Sequence, residues 1–470
     1  MTTIALAAEI NAGDTAWVLA SAALVLLMTP GLALFYGGMV RAKSVLNMMM
    51  MSFAALCSVS VAWVLWGYSM AFGDSKGGLV GDPTQFFGLA GLMSPDAVAG
   101  TVPAMAFVAF QSVFAIIAVA LISGAIADRA KFSTWVVFTV VWATVVYFPV
   151  AHWVFAFDGV AAEHGGWIAN GIKAIDFAGG TAIHINAGAA GLALALVLGK
   201  RIGFRKDPMR PHNLTLVMLG AGLLWFGWFG FNAGSALSAG TTAAVAWVNT
   251  LGATAAAMAG WLITEKLRDG HATSLGAASG IVAGLVAITP SCSSVSPVGA
   301  LVLGLLAGIA CAYAVGLKFK LGFDDSLDVV GVHLVGGLVG TLGVGLFATA
   351  EAPAKVDGLF YGGGFEQLKI QAIGAFAVLA FSFLATLVIG KLLDLLMGFR
   401  IDSDAEVSGV DLAEHAETGY DLSAAPTGRG TGSAFAGAGI GSVASGGGDH
   451  RPGSEVRRDV EASVTEGAQA

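Results

Sequence analysis

The chain has 470 residues, 56% of them hydrophobic and only 11% charged, with a mean hydropathy of +0.79. Soluble domains carry about 25% charged residues, so the composition excludes a water-soluble globular protein and points to an all-α polytopic membrane protein. The formal charge of −8 says little about partners, because the acidic excess lies in loops and in the C-terminal tail.

The opening string MTTIALAAEINAGDTAW lacks the basic and apolar regions of a cleaved signal, so residues 1–15 read as a short extracellular segment. Apolar stretches of about 20 residues, the length needed to cross a bilayer, follow at 16–38, 45–72, 103–127, 133–155, 178–198, 213–235, 242–264, 274–290, 298–317, 329–349 and 368–398. This predicts eleven transmembrane helices within 16–398. The sixth and eighth stretches are interrupted by glycines and small residues. An odd number of crossings puts the termini on opposite sides. With the N-terminus outside, fifteen lysines and arginines fall in inner loops, including five between Lys200 and Arg210, and four fall outside (Lys76, Lys173, Lys355, Lys369). The positive-inside rule therefore puts the N-terminus out and the C-terminus in.

Two of the stretches carry the same device. His184 lies in DFAGGTAIHINAGAAGLA and His333 in DDSLDVVGVHLVGGLVGTLG. An aspartate precedes each histidine by eight residues (Asp176, Asp325), and glycines follow at four and seven (Gly188 and Gly191; Gly337 and Gly340). A histidine inside a membrane is costly unless it meets a partner, a cavity or a pathway. Glycines at this spacing let another helix approach closely. His184 is in stretch 5 and His333 in stretch 10, equivalent places in two sets of five. An odd-numbered repeat inserts upside down relative to its twin, so an inverted repeat of 1–5 and 6–10, plus a final helix, would bring the two side chains together near the midplane.

Other polar groups at depth are few: Asn186, Asn232, Ser235, Thr289, and Asp176 near an outer edge. No lysine, arginine or carboxylate pair occupies the centre of a stretch. A bare cation in low dielectric costs on the order of tens of kcal/mol before relaxation, more than two neutral imidazoles return. They are suited instead to hydrogen-bonding a small neutral molecule or taking a proton near neutral pH. Aromatic residues gather at the outer ends: Phe110 and Phe114 one turn apart, Phe231 with Ser235, and Trp153 with Phe155 and Phe157. Ring faces beside a hydroxyl attract a small cation; an interfacial aromatic belt with no further role has the same composition.

Residues 399–424 are acidic and polar, with too few apolar residues for a crossing, and 425–470 are rich in Gly, Ser and Ala and expected to be disordered. Cys57, Cys292 and Cys311 are far apart and match no redox or metal spacing, so they read as packing residues. No activated nucleophile, metal cluster or phosphate-binding loop is apparent. An enzyme, a cofactor and a nucleic-acid partner are not expected.

Several separate strings, TPGLALFYGGMVRAKSVLN (29–47), DFAGGTAIHINAG (176–188), GWFGFNAGSA (227–236), ITPSC (288–292), DDSLDVVGVHLVGG (324–337) and GFR…GVDLAEHAETGYD (398–421), resemble the ammonium transporter family of Amt and Mep proteins, distant relatives of the Rhesus proteins. The resemblance covers about residues 15–421. It implies ammonium uptake across the cytoplasmic membrane by a homotrimer in a lipid bilayer, each subunit having its own narrow pore. By that likeness His184 and His333 are the pore pair, Phe114 and Phe231 the outer gate, and Phe110, Phe155 and Ser235 the ammonium-recruiting site. Asp176 is then structural, and Thr289 a pore polar group. PII signal proteins meet the cytosolic face in this family. The chain departs from the pattern at Phe155, where a tryptophan is usual, so recruitment is weaker or Trp153 substitutes in part. A sensor signalling through the tail, and a neutral ammonia channel, are the alternatives.

Overall fold

The computed structural model describes residues 9–420, whose regular structure is helical apart from two two-stranded sheets, Ser75–Lys76 with Val80–Gly81 and Val98–Ala99 with Val102–Pro103. The principal helices are numbered α1–α11: Ala12–Met39, Ala42–Phe72, Ala104–Ile126, Phe132–Phe155, Gly180–Leu198, Leu214–Gly234, Thr241–Asp269, Ser274–Ile288, Pro297–Leu321, Val330–Phe347 and Glu366–Met397. Ten are long and apolar enough to cross a membrane. The expected eighth crossing is shorter, a 15-residue helix. At 1.5 Å per residue it falls short of a hydrocarbon core about 30 Å thick. It need not match that thickness, because Gly276–Ile288 is buried throughout and faces other helices rather than lipid. α6, whose glycines looked disruptive, is one unbroken helix. Its glycines instead set its contact with α1. A Cβ on Gly220 would lie 2.4 Å from the backbone nitrogen of Phe35, and one on Gly31 would lie 3.1 Å from Leu223 Cβ. Backbones this close use small residues as the packing surface.

Helix α1 starts at Ala12, earlier than the apolar pattern suggested, because Asn11 Oδ1 accepts the Asp14 N–H as an N-cap. Residues 1–8 and the tail expected to be disordered (425–470) lie outside the described residues. Cys292 and Cys311 are packed in the interior as expected, but Cys57 is exposed.

At one end of the bundle the helix connections are joined by buried ions. Arg201 makes two hydrogen bonds to the Asp324 carboxylate, both 2.9 Å, and another to Asp128 at 3.2 Å. The fully buried Arg129 donates to the Asp324 carbonyl at 2.6 Å and to Ser326 Oγ at 2.5 Å. Arg41 reaches Asp128 at 3.2 Å. Inner-loop charges that would otherwise be read as a solvated positive fringe thus form the bracket that holds the α9–α10 connection, and hence the approach to His333, against the α3–α4 and α5–α6 connections.

The C-terminal segment folds onto this face as two short helices, α12 (Ser403–Ser408) and α13 (Val410–His415). Two of its acids cap helix starts, and a third holds the α5–α6 connection. Asp411 accepts the N–H groups of Leu46 (3.0 Å) and Asn47 (2.8 Å), and Glu414 accepts that of Phe132 (2.9 Å). Glu406 accepts the Ile202 N–H at 2.6 Å and pairs with Arg400. The first N–H groups of a helix have no internal partner, and a carboxylate there satisfies them and favours the helix dipole.

Candidate functional site

His184 and His333 come together in the interior. Their Nδ1 atoms are 3.2 Å apart, and the rings lie 20° from parallel with centroids 5.3 Å apart. Two imidazole nitrogens at this distance need one proton between them, so one Nδ1 donates and the other accepts. Both side chains are buried, and Nε2 of His184 has no protein partner.

The sequence around each histidine explains how it is held. Each sits in a π-helical turn, Gly180–Ile185 or Val330–Leu334, that opens its helix. Such wide turns are rare and concentrate at functional sites. An aspartate caps each turn. Asp176 accepts N–H groups from Gly179, Gly180, Thr181 and Ala182 at 2.6–2.9 Å. Asp325 accepts those of Val329 and Val330. The eight-residue spacing from aspartate to histidine is the distance from cap to wide turn. The glycines complete a reciprocal contact. A Cβ on Gly188 would lie 2.5 Å from the nitrogen of Leu334, the residue after His333. One on Gly337 would lie 3.1 Å from the nitrogen of Ile185, the residue after His184. Each helix therefore presents its bare glycine to the other's histidine turn.

The pair lines an enclosed, mainly apolar cavity with Met28, Leu32, Ile117, Leu224, Trp228 and Phe231. Only ≈ 10 Å³ is free for the centre of a water-sized molecule, about the lower limit for one water. A hydrated ion does not fit. Outward of the pair, Phe114 and Phe231 stack face to face, centroids 4.3 Å apart and 14° from parallel. Phe110 lies against Phe114 at 4.8 Å, and Phe155 meets the edge of Phe114 at 6.5 Å. Ser235, at the end of α6, is half-buried, and its hydroxyl donates to Phe231 O at 2.8 Å. It also opens on an outer vestibule of ≈ 690 Å³ that includes Asp158, Asp176 and Lys173. Gly234 allows this grouping, since a Cβ there would lie 2.9 Å from the Phe110 ring.

Two sequence readings change. Trp153 does not stand in for the missing tryptophan at Phe155. Its indole donates to Leu79 O at 2.6 Å and packs on Trp167 and Phe381, away from the aromatic gate. Thr289 does not line the histidine cavity: its hydroxyl accepts the Trp228 indole N–H at 2.9 Å and lies 2.7 Å from Leu285 O and 3.2 Å from Asn232 Oδ1. The residue it serves, Trp228, escaped the sequence reading. It lies three positions before Phe231, so both share one helix face, and its ring stacks on His184 with centroids 5.3 Å apart. Asp325 was marked by spacing alone, and its capping role becomes visible only in the fold.

A bundle of apolar helices around a narrow histidine-lined cavity, with an aromatic constriction on one side of it, defines a multi-pass membrane transporter. Residues 16–420 match the profile of the Ammonium Transporter Family. An ammonium transporter of Mycobacterium tuberculosis (strain ATCC 25618 / H37Rv) is 64% identical over 436 residues, spanning 88% of this chain and 91% of that protein. The crystal structure of Mep2 from Candida albicans superposes with a TM-score of 0.77 at 33% identity, covering 89% of this chain and 93% of that one. A structure described as a sensor Amt protein does so at 0.79 and 30% identity, over 86% and 98%. The chain belongs to the ammonium transporter family, a family of transporters rather than enzymes.

Proposed function

We propose that this protein takes up ammonium across the cytoplasmic membrane by separating the ion from its proton. The observation that carries the reading is the shared-proton histidine pair inside a cavity that excludes a hydrated ion. Ammonium collects at Phe110, Phe155 and Ser235, where ring faces and a hydroxyl offset lost water. It gives up its proton near Phe114 and Phe231; ammonia then passes His184 and His333 by successive hydrogen bonds, and the proton crosses by a separate route, which makes the transport electrogenic. Charge transfer distinguishes this from neutral ammonia conduction. The charge asymmetry of the loops supports an N-terminus outside and a C-terminus inside. The reciprocal glycine contacts support an inverted repeat of α1–α5 and α6–α10. Membership of the family supports a homotrimer in the lipid bilayer and a PII protein at the cytosolic face.

Current from purified protein in liposomes after an ammonium pulse tests the reading, with potassium and His184→Ala as controls. A saturable, ammonium-specific current that the substitution removes or makes unselective is expected. Internal alkalinisation without current would establish neutral conduction instead. A sensing role has its own support in the likeness to the sensor Amt protein and in the tail's attachment to three inner helix connections. Deleting residues 400–470 with uptake and its regulation unchanged would remove that support.

A further inference from the structure

One hydroxyl beside the aromatic constriction has no use so far. Ser21, on α1, is fully buried, and among the described residues its Oγ has no hydrogen-bond partner. Buried polar groups are nearly always paired, so an idle one calls for a reason. A Cβ on Gly234 would lie 2.7 Å from Ser21 Oγ and 2.9 Å from the Phe110 ring. Ser21 and Phe110 therefore meet at the residue that precedes Ser235. The contact is fixed one helical turn away, where the Trp17 indole donates to Ala233 O at 3.1 Å.

The register of three helices puts these residues at one level. α1 and α6 run antiparallel, Gly38 packing on Val217 and Gly234 on Ser21. α1 and α3 run parallel, with Tyr36 donating to Leu121 O near one end and Ser21 beside Phe110 near the other. Met28, Ile117 and Trp228 all line the histidine cavity. Each has a counterpart seven positions along its own helix, towards the aromatic constriction: Ser21 before Met28, Phe110 before Ile117, Ser235 after Trp228. Seven residues make about two turns, so each counterpart keeps the cavity-facing side of its helix and is displaced roughly 10 Å along it. The recruiting site proposed above uses Phe110 and Ser235 and passes over Ser21.

We propose that Ser21 is a further recruiting residue, its Oγ accepting an N–H of the ammonium held by Phe110, Phe155 and Ser235. The inference rests on that recruiting reading and adds a second oxygen to it. Ser235 donates its own hydrogen to Phe231 O at 2.8 Å, which leaves its oxygen lone pairs to accept. The Ser21 hydroxyl is free to rotate and do the same. Ring faces attract the charge of the cation, whereas the N–H groups that lose water need oxygen acceptors. The Ser21 hydroxyl is then paired when the cation is present and idle when it is absent.

Initial flux into liposomes after an ammonium pulse, read both as current and as internal pH, tests this with the full chain. Ser21→Ala should raise the ammonium concentration for half-maximal flux about tenfold, the low end for a hydrogen bond to a charged group, with maximal flux and melting temperature unchanged. Ser21→Cys fills the same space with a weak acceptor and should do likewise. Ser52→Ala removes another buried, unpartnered hydroxyl, on α2, and should be silent. An equal rise there, or a lower maximal flux at parental half-saturation in Ser21→Ala, would reduce the effect to packing and overturn the assignment. Parental behaviour of Ser21→Ala beside a rise in Ser235→Ala would overturn the role of Ser21 and leave the recruiting site standing. No change in either variant would remove the recruiting site itself, and the role of Ser21 with it.

Discussion

The indole of Trp228 lies against the imidazole of His184, 18° from parallel and 5.3 Å between centroids, and its N–H is held from behind by Thr289. The orientation of His184 thus depends on a hydroxyl that does not touch it. Beyond Thr289 the chain of hydrogen bonds runs to Asn232, whose Nδ2 donates to Thr250 Oγ1 at 2.9 Å.

Thr289→Val keeps the volume and removes the acceptor. A buried indole N–H left without a partner costs about 1–3 kcal/mol. The variant should melt at lower temperature in detergent and carry less ammonium current, while Thr289→Ser should behave like the parent. A valine protein with parental current would show that Trp228 needs no anchor.

Gly188→Ala and Gly337→Ala each place a methyl against the opposite histidine turn, at 2.5 Å from Leu334 N and 3.0 Å from Gly180 O. The obstacles are backbone atoms, which cannot swing aside. We expect at least about 1–3 kcal/mol of destabilisation, with loss of current in whatever protein folds. Gly222→Ala, where a Cβ meets nothing within 4 Å, is the control and should be silent.

Phe155→Trp restores the stronger cation–π ring at the mouth. A gain of about 0.5–1 kcal/mol corresponds to a fall of about two- to fivefold in the ammonium concentration giving half-maximal current. An unchanged half-saturation would place Phe155 outside the recruiting site.

Asp324 sets an acid limit on the inner face. Burial pushes its carboxyl upward, but the hydrogen bonds and charge of Arg201, then the charge of Arg129, outweigh burial and hold it below the usual carboxylate range. A carboxyl with a depressed folded pKa contributes stability above its unfolded pKa of about 4 and loses it as pH falls through the lower folded value. Melting temperature should therefore drop below about pH 4. Asp324→Asn should lower it already at pH 7, because Arg129 loses its counter-charge and Arg201 keeps only Asp128, a change costing about 3–5 kcal/mol in buried pairs.

Asp411→Ala removes the carboxylate that accepts the Leu46 and Asn47 N–H groups. Caps of this kind are worth about 0.5–2 kcal/mol. Hydrogen exchange at residues 45–48 should quicken, with 132–135 unchanged, since Glu414 serves that start separately. Equal protection in both proteins would mean that the tail does not hold the first inner loop.

Much of this architecture was legible in the chain because a membrane simplifies the code. Crossings announce themselves by length and hydropathy, and the paired histidines by the cost of placing them there. Their recurrence with one aspartate spacing and one glycine spacing located both halves of the central site before any coordinate. Periodicity works less well where every helix face is apolar. α8, expected over 274–290 and found over Ser274–Ile288, lies where it was expected, but nothing in its composition marks it as a buried helix that need not span lipid. From the chain alone Thr289 is a polar group at depth, Trp153 an aromatic at a helix end and Trp228 one more apolar residue; which of them faces the cavity depends on helix rotation.

By itself the sequence determined the membrane class, the long apolar helices, of which it put eleven where ten are long enough to cross a membrane, and the buried histidine pair, since each follows from local transfer energies. Only the tertiary structure decided that Thr289 serves the Trp228 indole and that Trp153 turns away from the gate. It also decided that Arg129, Arg201, Asp128 and Asp324 are buried partners rather than a solvated rim. Those outcomes depend on which residues from distant spans meet, and hydrogen bonds and ion pairs act only over a few ångströms, so they are set by packing and not by composition.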